Sequence, residues 1–303
     1  MAVLALDDRR LAEWCTAHLG SEPTLSLFRV ARLSTVVGVR LADGREVVLK
    51  ARPPAARVAG CVEVQRHLFA AGFPCPEPLC GPEPLDGLVV TAESHVPGGD
   101  QLAGALRPNR FADVLARLVE MAPPASSADL WPDPPWAWPD AISLWPEPDG
   151  MSVDLNAHPG PAWLDDLAED ARDRLLGCGL PAVVGHSDFE SQNIRWVGRA
   201  LLAVHDWDSV AALPEPVVAG LASAVFTAAG AEATEATVDE SAEFLAAYQL
   251  ARGGGWPREA IGLAWWAGLW VRAFNAKKAF VRGDGSSAER LLVEREARLS
   301  HAA

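Results

Sequence analysis

At 303 residues, half of them apolar and 22% charged, the chain is long enough for one large core or two smaller ones and has a globular composition. A formal net charge of -14 excludes the basic footprint that a nucleic-acid backbone demands, so no nucleic-acid partner is expected. Five cysteines without metal-type spacing suit a reducing compartment; charges at Asp7 to Arg10 and a longest apolar run of only Val217 to Ala231 exclude a signal peptide and a membrane span, so a cytoplasmic protein with no membrane partner is expected.

Helical spacing at Leu4, Leu11, Cys15 and Leu19 predicts a leading helix. The texture then changes to apolar runs over 26–33, 36–41 and 46–50, the last two joined by Asp43-Gly44, a hairpin signal; three antiparallel strands are predicted. Lys50, one of only three lysines, closes the third run. Residues 58–71 have helical periodicity and stop at Gly72 before Phe73-Pro74-Cys75-Pro76. Residues 88–96 read as a buried strand running into a turn. A helix with Phe111, Leu115, Leu118 and Met121 on one face follows.

Residues 122–161 hold Trp131, Trp136, Trp138 and Trp145 among many prolines, which exclude long helices. This segment is either a loop packed on the domain or a substrate-contacting insertion. An acidic amphipathic helix runs from Trp163 to Leu176. Beyond residue 214 the chain is helical throughout, with a buried helix over 217–229 and others over 237–250, 257–280 and 287–299.

The chemistry concentrates between the last two of these regions. Val183-Val184-Gly185-His186-Ser187-Asp188 leads through a polar loop to Asn193, and Leu201-Leu202-Ala203-Val204-His205-Asp206-Trp207-Asp208 follows a Gly198-Arg199 turn. The pattern predicts a strand, an acidic loop and a short hairpin ending in two acids. Asp188, Asn193 and Asp206 offer hard oxygen ligands, the type that holds Mg²⁺ against phosphates. An acidic surface hairpin is the bland alternative.

The order His-x-Asp-x-x-x-x-Asn, with an Asp-Trp-Asp about a dozen residues later, resembles the catalytic and metal loops of protein-kinase-like enzymes, and most of all the aminoglycoside phosphotransferase family. Ser187 replaces the family's usual glycine, His205 an aliphatic residue, and Pro214-Glu215-Pro216 a region where the family often has an aspartate. The strand lysine fits the resemblance, although the Gly-x-Gly-x-x-Gly of protein kinases is missing before it.

The resemblance implies an α+β, two-lobed protein-kinase-like fold, with an antiparallel-sheet nucleotide lobe over 1–95 and a mostly helical catalytic lobe over 96–303. It implies that Asp188 is the base and that Asn193 and Asp206 hold Mg²⁺. Asp208 either assists them or caps a turn, and His186 fixes the loop. Lys50 would pair with the phosphates of ATP or GTP under a loop around Ser34. Glu63 would pair with Lys50, although a second alignment puts the family's glutamate at Cys61. The backbone around Glu93 to His95 would hold a purine. The implied function is γ-phosphate transfer to a hydroxyl of a small molecule, expected to be a cationic antibiotic, giving resistance. The acids of Asp165 to Asp173 and of Glu232 to Glu243 are expected to line its pocket if it is polycationic, and are otherwise solvated faces. A metabolite kinase acting on an amino alcohol or sugar, and a non-catalytic nucleotide-binding pseudokinase, remain as alternatives.

Overall fold

The computed structural model describes residues 7–31, 34–101, 107–148, 150–229 and 235–303. Helix α1 (Asp8–Leu19) starts at Asp7, whose side chain accepts from the Arg10 amide, and stops at Gly20, which adopts the left-handed conformation. The expected start at Leu4 lies outside the described residues. Strands β1 (Pro23–Ala31), β2 (Thr35–Leu41) and β3 (Glu46–Arg52) pair antiparallel, as the Asp43-Gly44 signal predicts. Helix α2 (Arg57–Ala70) intervenes before β4 (Pro78–Leu85) and β5 (Leu88–Ser94), and the five-stranded sheet runs β1-β2-β3-β5-β4. Strand β4 carries three prolines and two register shifts, which hid it from pattern reading.

Side-chain alternation decides what the sheet presents. Val47, Leu49 and Ala51 are buried with Leu11, Trp14 and Cys15 of α1. Val48, Lys50 and Arg52 therefore face the opposite side, where they line a cleft. Helix α2 does not join that small core. Its Cys61, Val64 and Leu68 pack into the larger core of the second half.

That second core is built on α3 (Pro108–Met121), α4 (Ala162–Leu176), α5 (Glu215–Val225), α6 (Val238–Ala251), α7 (Arg258–Val281) and α8 (Ser286–Ala302). Strand β6 (Ala182–His186) pairs with β9 (Val210–Pro214), and β7 (Ile194–Val197) with β8 (Ala200–Val204). Pro214-Glu215-Pro216 leads into α5, because proline is tolerated in a first helical turn. The segment 122–161 has only one short 3₁₀ turn among its described residues. It is held down at Trp145, whose ring lies 6.1 Å from Trp270 and whose Nε1 donates to Asp165 at 2.8 Å. Lys277 reaches the same Asp165 at 2.9 Å.

Helices α5 and α7 cross at backbone contact. A Cβ built on Gly220 would lie 2.0 Å from the Ala264 carbonyl oxygen. Gly220→Ala must push two buried helices apart, and is expected to destabilise the fold by about 1–3 kcal/mol, as overpacking does. Thermal melting by circular dichroism checks this against Gly254→Ala, where nothing lies within 4 Å. Equal melting temperatures for the two variants would refute the packing account.

Candidate active site

Two adjoining cavities of about 410 and 550 Å³ lie between the sheet and the helical half. The smaller is lined by Phe28, Val36, Val48, Cys61, Gln65, Glu93, His95 and Val96. The larger contains Ser34, Asp188, Glu190, Asn193, Trp136, Asn275 and Lys278. Lys50, Arg52, Asp206 and Asp208 line both. Ser34, Lys50, Glu93 and His95 from the first third of the chain thus meet Asp188, Asn193 and Asp206 in one cleft.

The 186–193 loop is fixed by its own hydrogen bonds. His186 is fully buried, and burial pushes its pKa down. A carbonyl oxygen can only accept, so Nε2 donates to the His205 carbonyl at 3.0 Å, while Nδ1 accepts from the Asp188 amide at 3.3 Å. A neutral imidazole satisfies both contacts, which makes His186 a brace for the loop. Ser187 fits where glycine is usual because both its amide and its hydroxyl donate to the Ser209 carbonyl, at 2.8 and 2.7 Å. Asn193 Nδ2 donates to the Asp188 carbonyl and to Asp188 Oδ2, both at 2.9 Å. Those two acceptors orient the amide and leave its oxygen uncommitted to Asp188.

Strand pairing brings the second acid to Asn193. The His205 amide donates to the Asn193 carbonyl at 2.8 Å, so Asp206 arrives beside that residue. Asp206 sits at φ 62°, ψ 52°, a left-handed conformation uncommon for a residue with a side chain. Such outliers concentrate at functional sites. Burial alone would raise its pKa, but the adjacent Lys50 ammonium outweighs this and holds it down at about 2. Burial also lowers His205, to about 4, with Arg195 adding to the effect.

Lys50 contacts both Asp206 and Asp208, the latter at 2.6 Å. It does not meet Glu63. That side chain is 70% exposed and pairs with Arg66, one turn away on the same helix. The reason is helical phase: Cys61, Val62 and Gln65 are the α2 residues that line the cavity, and none is an acid. Gln65 instead donates to Glu93 at 2.7 Å, and burial raises the Glu93 pKa despite that bond. The amides of Ser94 and His95 are already bonded, to the carbonyls of Glu77 and Glu46 at 2.8 and 3.0 Å. The His95 ring lies 2.9 Å from Glu46. The next residue, Val96, lines the same cavity.

The acids expected around a polycation lie elsewhere. Neither cavity is lined by any of Asp165 to Asp173, nor by Glu240 or Glu243. Asp165 holds Lys277 and Trp145, while Glu240 completes the capping box of α6 with Thr237. Glu232 lies outside the described residues. Sequence reading also missed Arg52, Glu190, Asn275 and Lys278. Three of these carried a signal: Arg52 shares the strand face of Lys50, and Asn275 and Lys278 share one face of α7 with Val271 at helical spacing. Trp136 supplies the insertion's contact with the site, its Nε1 donating to the Ser187 carbonyl at 3.2 Å.

Among the described residues, no helix is long and apolar enough to cross a membrane. A model of the phosphotransferase enzyme family matches residues 24–262. No curated protein matches by sequence. Among solved structures, an amicoumacin kinase in complex with AMP-PNP, Ca²⁺ and Ami is similar with a TM-score of 0.71 at 10% identity, covering 97% of this chain and 94% of that one. A thermostable mutant of aminoglycoside phosphotransferase APH(4)-Ia, in ternary complex with ADP and hygromycin B, gives 0.58 at 15% identity over 97% and 99%. Spectinomycin phosphotransferase APH(9)-Ia, in complex with ADP and spectinomycin, gives 0.57 at 13% over 97% and 93%.

Proposed function

The chain belongs to the phosphotransferase enzyme family, with its kinase-like fold, and from that premise we propose that it moves the γ-phosphate of ATP or GTP to a hydroxyl of a small cationic molecule, an antibiotic being the first class to test. The observation that carries this reading is the meeting of Lys50, Asp188, Asn193 and Asp206 in one cleft. Residues 1–95 would serve as the nucleotide lobe and 96–303 as the catalytic lobe. Five free thiols suit a cytoplasmic setting.

In this reading the base slots into the small cavity against Val36, Val48 and the Val96 amide, with Ser34 near the phosphates. Lys50 leaves Asp206 to meet phosphate oxygens. Asn193 and Asp206 fit a divalent ion such as Mg²⁺, because each brings a hard oxygen donor to neighbouring backbone positions. When bound there, the ion supplies positive charge against the phosphate oxygens. Asp188 orients the acceptor hydroxyl and takes its proton as the acceptor oxygen bonds to the γ-phosphorus. The bond from that phosphorus to the β,γ-bridging oxygen breaks, and the nucleoside diphosphate leaves with the electron pair.

The acceptor cavity sets Asp188, Glu190, Asp206 and Asp208 against Lys50, Arg52, Arg57 and Lys278, four acids and four bases, so it is no general trap for polycations. That balance gives a polycationic aminoglycoside no advantage over a small amino alcohol, which supports the metabolite-kinase alternative. Glu190 lines this cavity and would be the acid that meets an acceptor ammonium. Burial and the nearby Asp188 raise its pKa, so it gains most from a cationic partner. Glu190→Gln is expected to raise the acceptor KM about tenfold, the worth of one charge-assisted hydrogen bond, while Glu240→Gln and Glu243→Gln leave it unchanged. A KM unmoved by Glu190→Gln and flat across ionic strength would point to a neutral acceptor.

The activity itself is tested by following nucleotide consumption over a panel of antibiotics, amino alcohols and sugars. Mass spectrometry should find an acceptor heavier by one HPO₃ group. Nucleotide binding without turnover on any panel member would favour the pseudokinase alternative.

A further inference from the structure

The cleft contains a second cation that the reading so far leaves without a task. Arg52 follows Lys50 by two residues on β3 and so projects from the same face of the strand. It is 8% exposed, lines both cavities, and its Nε has no hydrogen-bond partner among the described residues. Its guanidinium donates to the Thr91 hydroxyl and pairs with Asp208. The same Asp208 carboxylate turns its other oxygen to Lys50 at 2.6 Å. One oxyanion thus bridges two cations inside the cleft. By contrast Arg57, another cation of the cleft, is committed to the backbone carbonyls of Leu130, Asp208 and Val210.

Helix α2 offers no acid to hold Lys50 in place, as shown above. A bound nucleoside triphosphate brings a run of negative oxygens that one lysine balances poorly. An arginine fork matches phosphate geometry and is weakly hydrated, so it suits a half-closed site of this kind. We propose that Arg52 is a second phosphate-binding residue, and that Asp208 occupies the phosphate's place between Arg52 and Lys50 until a nucleoside triphosphate displaces it. The proposal rests on the kinase reading and assigns Asp208 a gating role in place of a turn cap.

The test is isothermal titration with AMP-PNP and, separately, with adenosine, each with and without Mg²⁺. Arg52→Gln is expected to weaken AMP-PNP about tenfold, the worth of one charge-assisted contact to phosphate, and to leave adenosine unchanged. Arg52→Lys should recover part of the loss. Asp208→Asn has the opposite sign: with the competing carboxylate gone, AMP-PNP should bind tighter in the absence of Mg²⁺. If Arg52→Gln does not fold, Arg52→Lys and Asp208→Asn decide the matter. Unchanged AMP-PNP affinity in the Arg52 variants, an equal loss for adenosine, or weaker metal-free binding in Asp208→Asn would each overturn the proposal. A wild-type chain that binds neither ligand would instead defeat the kinase reading itself.

Discussion

Asp188→Asn is expected to lower kcat by about 10²–10⁴, the usual worth of a positioned base, and to leave nucleotide affinity near that of the wild type. The substitution keeps a carbonyl oxygen where Asn193 Nδ2 now donates at 2.9 Å, so the loop retains its internal bonding. The proton acceptor alone is lost. Asp188 lines the larger cavity and not the smaller one, so a nucleotide seated against Val48 and Val96 does not need it. Steady-state kinetics with the acceptor found by screening, paired with AMP-PNP titration, separates the two effects. Turnover within a few-fold of the wild type would remove Asp188 from the chemistry. A parallel fall in nucleotide affinity would recast it as part of the phosphate site.

What the sequence made legible follows from how local each signal is. The 186–193 loop could be read because its chemistry is fixed by near neighbours: Asn193 reaches Asp188 across a single turn, and β7 and β8 are joined by Gly198-Arg199. Lys50 could be read because a cation in an apolar strand stands out. Helix α2 could not be phased, since its apolar positions are poorly segregated and the cavity-facing residues, Cys61 and Gln65, carry no charge to mark them. Glu63 was the acid available in that helix, and it faces solvent. The same limit applied to the acidic helices, where charge alone does not distinguish a pocket wall from a helix cap such as Glu240. Strand and helix spacing mark which faces Arg52 and Lys278 share, but that these residues and Glu190 meet depends on tertiary convergence of β3, the loop and α7, which no local pattern encodes. Strand β9 was overlooked for a related reason: its partner β6 lies across the whole 187–209 segment.

Asp206→Asn is expected to abolish measurable turnover and to remove the Mg²⁺ dependence of nucleotide binding, and chelation of divalent ions should stop the wild type in the same way. Two separate losses meet at this residue. The amide retains one oxygen but not the charge that a divalent ion requires, and Lys50 loses one of its two carboxylate partners. Because the Lys50 ammonium holds the Asp206 pKa near 2, the carboxylate is ionised throughout the working range. The acid limb of any pH–rate profile should therefore not belong to Asp206. The sign for stability follows from the same depression. The folded-state pKa lies below the ordinary value of 3.8, so the ion pair's contribution is complete above that value and fades as pH falls towards 2. The wild type and Asp206→Asn should thus differ in melting temperature at neutral pH and converge in strong acid. Turnover that survives a strong chelator would refute the metal assignment, whereas a stability gap between the two proteins that stays constant down to pH 2 would refute the pairing with Lys50 as the cause of the shift.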